Sequence, residues 1–253
     1  MTCDVYPYVA SSFGLVNMLP EWAHEGGSEK ILERLKSATF RKKVRREMER
    51  GALASAHWNG TMIAYCPSHE EYQGEFISEL SRRRRKDPFD FTFDLLVEEN
   101  LAPSVVRFGL AEEDVEYVIS YPNAMIGSDG SALAPYGILG KGHPHPRNYG
   151  TFPRVLGRYA HEKAIISLPE AVRKMTSLPA QKLRLRNRGI IRPGAWADIT
   201  VFDPKTVLDQ ASFSAPSKYP TGIEYVIVNG VVTVAKGQHT GALSGKLLRR
   251  PSA

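Results

Sequence analysis

The sequence predicts an α/β fold, and three kinds of segment point to it. Short apolar runs closed by turn residues, such as Ala124-Met-Ile126 before Gly127-Ser-Asp-Gly130, read as buried parallel strands. Longer stretches, such as 89–100 and 112–119, keep their apolar residues on a helical stripe. Near the end, Tyr225-Val-Ile-Val and Val231-Val-Thr-Val234 flank Asn229-Gly230, which predicts a hairpin with a type I′ turn. The 253 residues, 42% hydrophobic and 24% charged, suffice for one or two globular domains with a sizeable core.

In chain order, residues 2–8 predict a strand stopped by Pro7. Residues 28–50 predict a helix with Ser28 as N-cap and Gly51 as C-cap. Its stripe is Ile31, Leu32, Leu35 and Ala38, continued by Val44 and Met48 past a break near Thr39. Thr61-Met-Ile-Ala-Tyr65 is a strand candidate ending before Pro67. Glu75 to Leu80 open a helix that Asp87-Pro88 breaks, and residues 89–100 form the next, with Phe93, Leu95, Leu96 and Val97 apolar. Glu112–Ile119 is a third, with acids in its first turn. Residues 130–150 are a Gly- and Pro-rich loop, and Phe152–His161 a helix. Ser167-Leu-Pro-Glu170 is a capping box opening another helix, whose Ala171, Val172 and Met175 face inward. A further helix begins at Ser177, and Gly189 ends this helical region. Pro193-Gly194 is a turn and Ala197–Asp203 a strand.

The net charge of +6 and pI near 9.3 raise the question of nucleic acid. The basic runs Arg41–Arg46 and Arg82–Lys86 come with no nucleic-acid module, so solvated helix faces are the expectation and no nucleic-acid partner is expected. Cys3 and Cys66 give no disulfide framework and suit a reducing cytosol. The first residues do not read as a signal peptide, and no run approaches the ~20 apolar residues of a membrane span. A cytoplasmic protein with no membrane partner is the expectation. The Cys66/His69 and His143/His145 pairs lack further ligands nearby, so neither is expected to bind metal.

Asp129 stands just past the C-terminal end of a predicted strand, where barrels and α/β sheets do chemistry. Ser-Asp-Gly is also good turn chemistry, so spacing alone leaves both readings open. The wider pattern adds to this. Ser128-Asp-Gly130, His145-Pro-Arg147 and Tyr149-Gly-Thr-Phe-Pro-Arg-Val-Leu-Gly157 resemble the N-acyl-D-amino-acid deacylases, or D-aminoacylases, of the amidohydrolase superfamily. The resemblance extends upstream to Asp4-Val-Tyr-Pro-Tyr-Val-Ala-Ser-Ser12, and downstream to Arg192–Asp203 and Val228-Asn-Gly230. It runs nearly end to end, with separate motifs in the right order.

The resemblance implies the C-terminal part of a metal-dependent hydrolase (β/α)8 TIM barrel. Residues 1–19 would hold barrel strand 7, 20–120 a mainly helical insertion, 121–189 strand 8 and its following helices, and 190–253 part of a small β-sandwich. It implies hydrolysis of the amide bond of N-acyl-D-amino acids. In the complete family enzyme zinc activates water and polarises the carbonyl. Asp129 would take the water's proton and pass it to the leaving amine. Tyr6, Ser12 and Arg147 would hold the substrate carboxylate, through hydroxyls and a planar guanidinium fork. The family's metal-binding His-x-His, Cys and two further His precede the segment that matches Asp4. No zinc is therefore expected on this chain alone. The expected partners are a small N-acyl amino acid and a missing N-terminal half or another copy. The alternative reading is a catalytically inactive fragment or a binding remnant.

Overall fold

The computed structural model describes residues 1–50 and 55–249. The strands are β1 (Cys3–Val5), β2 (Ala10–Gly14), β3 (Thr61–Tyr65), β4 (Ser104–Phe108), β5 (Ala124–Ile126), β6 (Ile199–Phe202), β7 (Ile223–Val228), β8 (Val231–Ala235) and β9 (Gln238–His239). The main helices are α1 (Gly27–Leu35), α2 (Ala38–Met48), α3 (Ile77–Arg83), α4 (Pro88–Glu98), α5 (Glu112–Ser120), α6 (Arg147–Arg154), α7 (Leu168–Met175) and α8 (Ser177–Lys182).

Three sheets result among the described residues. β1 and β5 pair in parallel, with Val5 opposite Ile126. One face of this pair, Val5 and Ile126, packs on α5 and the helices after β5 through Val115, Ile119, Val155, Tyr159 and Ala171. The second sheet has the antiparallel order β2-β4-β3. Phe13, Val105 and Ile63 on one of its faces join the largest core, where Leu15, Leu35, Val44, Phe93 and Leu96 from the surrounding helices meet. Its other face buries Ala10, Val106 and Met62 against Phe76, Phe108 and Phe213. The third sheet is β6-β7-β8-β9. Together these are part of a barrel, an insertion and part of a sandwich.

The local chemistry explains the differences from expectation. Residues 28–50 form two helices, because extended Ser37 redirects the chain and its hydroxyl caps α2 by accepting the Phe40 N–H at 3.5 Å. Left-handed Gly26, rather than Ser28, precedes α1, and Gly51 lies outside the described residues. Region 20–120 also contains β4, a strand absent from the sequence reading. Helix α6 begins at Arg147, inside the expected loop, and continues into a π-helix over Val155–Glu162. That π-helix aims Arg158 and Tyr159, and Lys163 just beyond, at the Glu112 carboxylate. The two basic runs converge on acids of the insertion. Arg41 and Lys86 both bind Asp94 at 2.8 Å, and Arg45 reaches Glu49 and Asp87. Lys174, wholly buried, donates to the carbonyls of Tyr121 and Ala124, closing the N-terminal end of β5.

Candidate functional site

Tyr6 is the first residue after β1, and Asp129 lies three residues after β5. Both therefore stand at the C-terminal ends of parallel strands. Asp129 adopts a left-handed backbone with φ 47° and projects a largely exposed carboxylate. Its loop is tied down by its neighbours. Gly130 N–H donates to the Ser128 hydroxyl, and Ser131 N–H donates to Asn148 Oδ1 at 2.7 Å. Asn148 in turn donates to the His145 carbonyl at 2.7 Å.

Arg147 is the centre of the arrangement. It is the first residue of α6 and only 7% exposed, so its guanidinium has left bulk water. One arm, Nη2, lies 2.9 Å from Asp129 Oδ2 and donates to the Ser12 carbonyl at 3.3 Å. The guanidinium also sits 4.9 Å from the centre of the Tyr6 ring. The other arm, Nη1, is buried and has no partner among the described residues. A buried guanidinium with a free arm is short of an acceptor. Burial pushes the Tyr6 phenol above its ordinary value; Arg147 pulls it back down, and Asp129 adds a smaller upward push.

Two arginines seven residues apart lie on one side of α6, and each stacks on a tyrosine. Arg154 sits 4.8 Å from the Tyr8 ring centre, donates to the Pro7 carbonyl at 2.9 Å and pairs with buried Asp209 at 3.0 Å. Burial pushes the Tyr8 phenol up strongly. Gly150 lets the helix come this close: a Cβ there would lie 2.5 Å from the Tyr8 hydroxyl and 2.9 Å from Asp209 Cβ.

The structure thus brings Tyr6, Ser12, Asp129 and Arg147 together. Ser12 meets Arg147 through its backbone carbonyl, where the sequence reading invoked its hydroxyl. The His143-Pro-His145 pair is spent on structure. His143 Nε2 lies 2.6 Å from the Phe213 carbonyl, and its N–H donates to the Ala64 carbonyl, tying the loop to β3. His145 is buried between the Ala10 carbonyl and the Arg147 N–H. Cys66 is buried beside Glu99 with its thiol pushed up to about 12 by burial, and His69 stacks on Tyr72. Among the described residues no group of three or more His, Cys, Asp or Glu is placed to hold a metal ion. These residues do not by themselves fit a zinc site. Sequence reasoning missed Asn148, Tyr8 and Arg154, because their roles depend on a helix start that the Pro-rich loop concealed.

A family model described as the amidohydrolase family matches residues 21–234. The chain is 37% identical over 193 residues to a D-aminoacylase of Alcaligenes xylosoxydans xylosoxydans, covering 76% of this chain and 37% of that protein. An N-acyl-D-glutamate deacylase of the same organism is 35% identical over 192 residues, covering 76% of this chain and 36% of that relative. The chain therefore spans little more than a third of the length of the curated relatives it matches. A solved D-aminoacylase, described with a binuclear metal centre, superimposes with a TM-score of 0.72 at 32% identity, over 98% of this chain and 43% of that one. The N-acyl-D-glutamate deacylase of Bordetella bronchiseptica, solved with zinc and a phosphonate mimic of the tetrahedral intermediate, gives 0.67 at 29% identity, over 96% and 42%. Among the described residues no helix is long and apolar enough to cross a membrane.

Proposed function

The chain belongs to the amidohydrolase family, and on that premise we propose that it supplies the carboxylate-holding and proton-handling side of an N-acyl-D-amino-acid deacylase. The observation that carries the reading is the buried Arg147 with one unpartnered arm, set beside Asp129 at the ends of two parallel strands. A substrate carboxylate would give Nη1 its missing acceptor, in a charge-assisted bond. The Tyr6 hydroxyl, close to the same guanidinium, would add a donor, and Ser12 would steady the arginine through its carbonyl. Fixing the amino-acid end would bring the scissile amide toward Asp129. The exposed Asp129 carboxylate would accept a proton from the attacking water and return it to the leaving amine. On this reading the hydrolytic metal is held by residues other than those described here, and the reaction takes place in the cytoplasm, which suits two free cysteines.

Steady-state kinetics in a hydrolytically competent preparation test the assignment. Asp129→Asn keeps the shape and loses the proton acceptor, so kcat falls by ~10²–10⁴. Arg147→Ala removes binding shared by ground and transition states, so KM rises and kcat/KM drops by about ten- to a hundredfold. The Arg147 penalty vanishes for a substrate whose carboxylate is amidated. Near-normal kcat in Asp129→Asn, or equal losses for acid and amide in Arg147→Ala, refutes the corresponding role.

A further inference from the structure

A carboxylate grip works only if the guanidinium is held where the substrate will arrive. We propose that His145 is a positioning residue for Arg147, bracing the start of α6 against β2 so that the free arm of the guanidinium is presented to the substrate carboxylate. This inference rests on the reading of Arg147 as the carboxylate-holding residue.

The geometry allows the imidazole one state. Arg147 N–H can only donate, and it points at His145 Nδ1 from 3.0 Å, so Nδ1 must carry the lone pair. Nε2 then carries the proton and donates it to the Ala10 carbonyl 2.9 Å away. An imidazolium or the other tautomer breaks the first bond. The bond to Arg147 also has a local purpose. Its N–H belongs to the first turn of α6, where no intrahelical acceptor exists. His145 caps it, although no side chain does so from the N-cap residue Pro146.

The far end of the same arginine is held by the same strand. His145 fixes the Arg147 backbone to Ala10, and Arg147 Nη2 reaches the carbonyl of Ser12, two residues along β2. Each of these ties crosses 135 residues of sequence. With both ends fixed on one strand the side chain has little freedom, and the direction of Nη1 is set. The ring itself is clamped edge-on by Tyr8 at 5.0 Å, Phe213 at 5.1 Å and Tyr6 at 6.0 Å. Among the described residues, the titratable and charged groups that face it are Tyr6, Tyr8, Arg147 and Arg154, with no carboxylate among them. Burial and the two arginines disfavour a charged ring and push His145 down to about 4, so the brace stays neutral near neutrality.

Calorimetric titration of the full chain at pH 7 with N-acetyl-D-leucine and with its carboxamide tests this. The variants are Arg147→Ala, His145→Phe, which keeps an aromatic ring but neither hydrogen bond, and His145→Asn, whose Oδ1 can still accept from the Arg147 N–H. The melting temperature of each is measured alongside. Wild type is expected to prefer the acid by about tenfold or more, and Arg147→Ala to lose that preference. His145→Phe is expected to lose roughly tenfold in acid affinity with carboxamide affinity unchanged, and His145→Asn to recover part of it. A folded His145→Phe with the full acid preference overturns the positioning role and leaves Arg147 in place. Equal wild-type affinity for acid and carboxamide, or an Arg147→Ala that still prefers the acid, overturns the Arg147 reading and the His145 role with it. Nitrogen-15 spectra of histidine-labelled wild type decide the case if His145→Phe does not fold. A neutral Nε2–H ring at pH 7, whose Nδ1 signal responds to the acid and not to the carboxamide, supports the role. An Nδ1–H ring, an imidazolium, or an unresponsive signal overturns it.

Discussion

The insertion and the segments on either side of it are built to different standards. In the insertion, β4 is paired on both sides, and its Val105 and Val106 are wholly buried on opposite faces of the sheet. Helices α1, α2 and α4 close over one of those faces. Outside it, β1 and β5 are three residues each and, among the described residues, pair only with one another, and β6 to β9 contain a single buried residue, Thr233. The insertion's strands are buried on both faces, the β1–β5 pair is covered on one face by the helices around it, and the sheet of β6 to β9 rests largely on its turns and strand pairing. The candidate site lies at the seam: Tyr6, Asp129 and Arg147 come from the barrel segments, and the carbonyls of Ala10 and Ser12 come from β2, the strand that pairs with β4 of the insertion.

The largest effect expected from this contrast is in the packed core. Phe93 is 1% exposed at the centre of the insertion, so Phe93→Ala should cost about 3–5 kcal/mol. Val201, on β6, is 44% exposed, and Val201→Ala should change stability by no more than about 0.5 kcal/mol. Urea denaturation of the two variants measures both. Similar losses would show that the sheet of β6 to β9 carries burial that this contrast denies it.

The seam should show its own sensitivity to acid. His145 titrates ordinarily at 6.5 and is pushed down to about 4 in the fold. Above 6.5 both folded and unfolded chains hold it neutral, and its contribution is constant. Between 6.5 and about 4 the unfolded chain binds the proton and the folded chain does not, so stability rises with pH through that window. Acidifying across it should cost about 3 kcal/mol from this residue. Unfolding free energies from pH 7 to pH 4, for wild type and His145→Phe, isolate the contribution. An unchanged slope in the variant would assign the acid sensitivity to other groups.

The same contrast explains what could be read in advance. Elements with strong local signals were legible: the helix break at Asp87-Pro88, where α4 begins, the Ser167 cap, which accepts the Glu170 N–H at 3.3 Å, and the hairpin at Asn229-Gly230. β4 was not, because Ser-Val-Val-Arg-Phe is a short central strand whose two valines face opposite cores, which leaves no alternation to detect. In the site, the residue types at Tyr6, Asp129 and Arg147 were legible from motifs. The bracing of Arg147 was not, since its partners Ala10 and Ser12 are backbone carbonyls, which no side-chain pattern reveals. Buried Lys174 was missed for the same reason, as it answers the carbonyls of Tyr121 and Ala124.

The smallest predicted effect tests whether the two regions open separately. The β7–β8 turn has φ 51° at Asn229 and 83° at Gly230, the left-handed pair of a type I′ turn. A Cβ at Gly230 would touch nothing within 4 Å, so Gly230→Ala adds backbone strain and no clash. The expected cost is about 1 kcal/mol. The turn is otherwise well anchored, with Asn229 N–H on Asp198 at 2.8 Å, its side chain on the Ser244 carbonyl at 2.7 Å, and Gly230 N–H on the Ala197 carbonyl at 2.9 Å. The strain should therefore loosen the hairpin without displacing it. Since β7 and β8 expose much of their surface, their register depends on this turn more than on burial. Hydrogen exchange in Gly230→Ala should accelerate at Val226 and Val234, which face each other across the hairpin, while Val105 and Val106 of β4 stay as protected as in wild type. Equal acceleration at β4 would mean that the hairpin and the insertion open as one cooperative unit, and that the difference in their packing does not divide their stability.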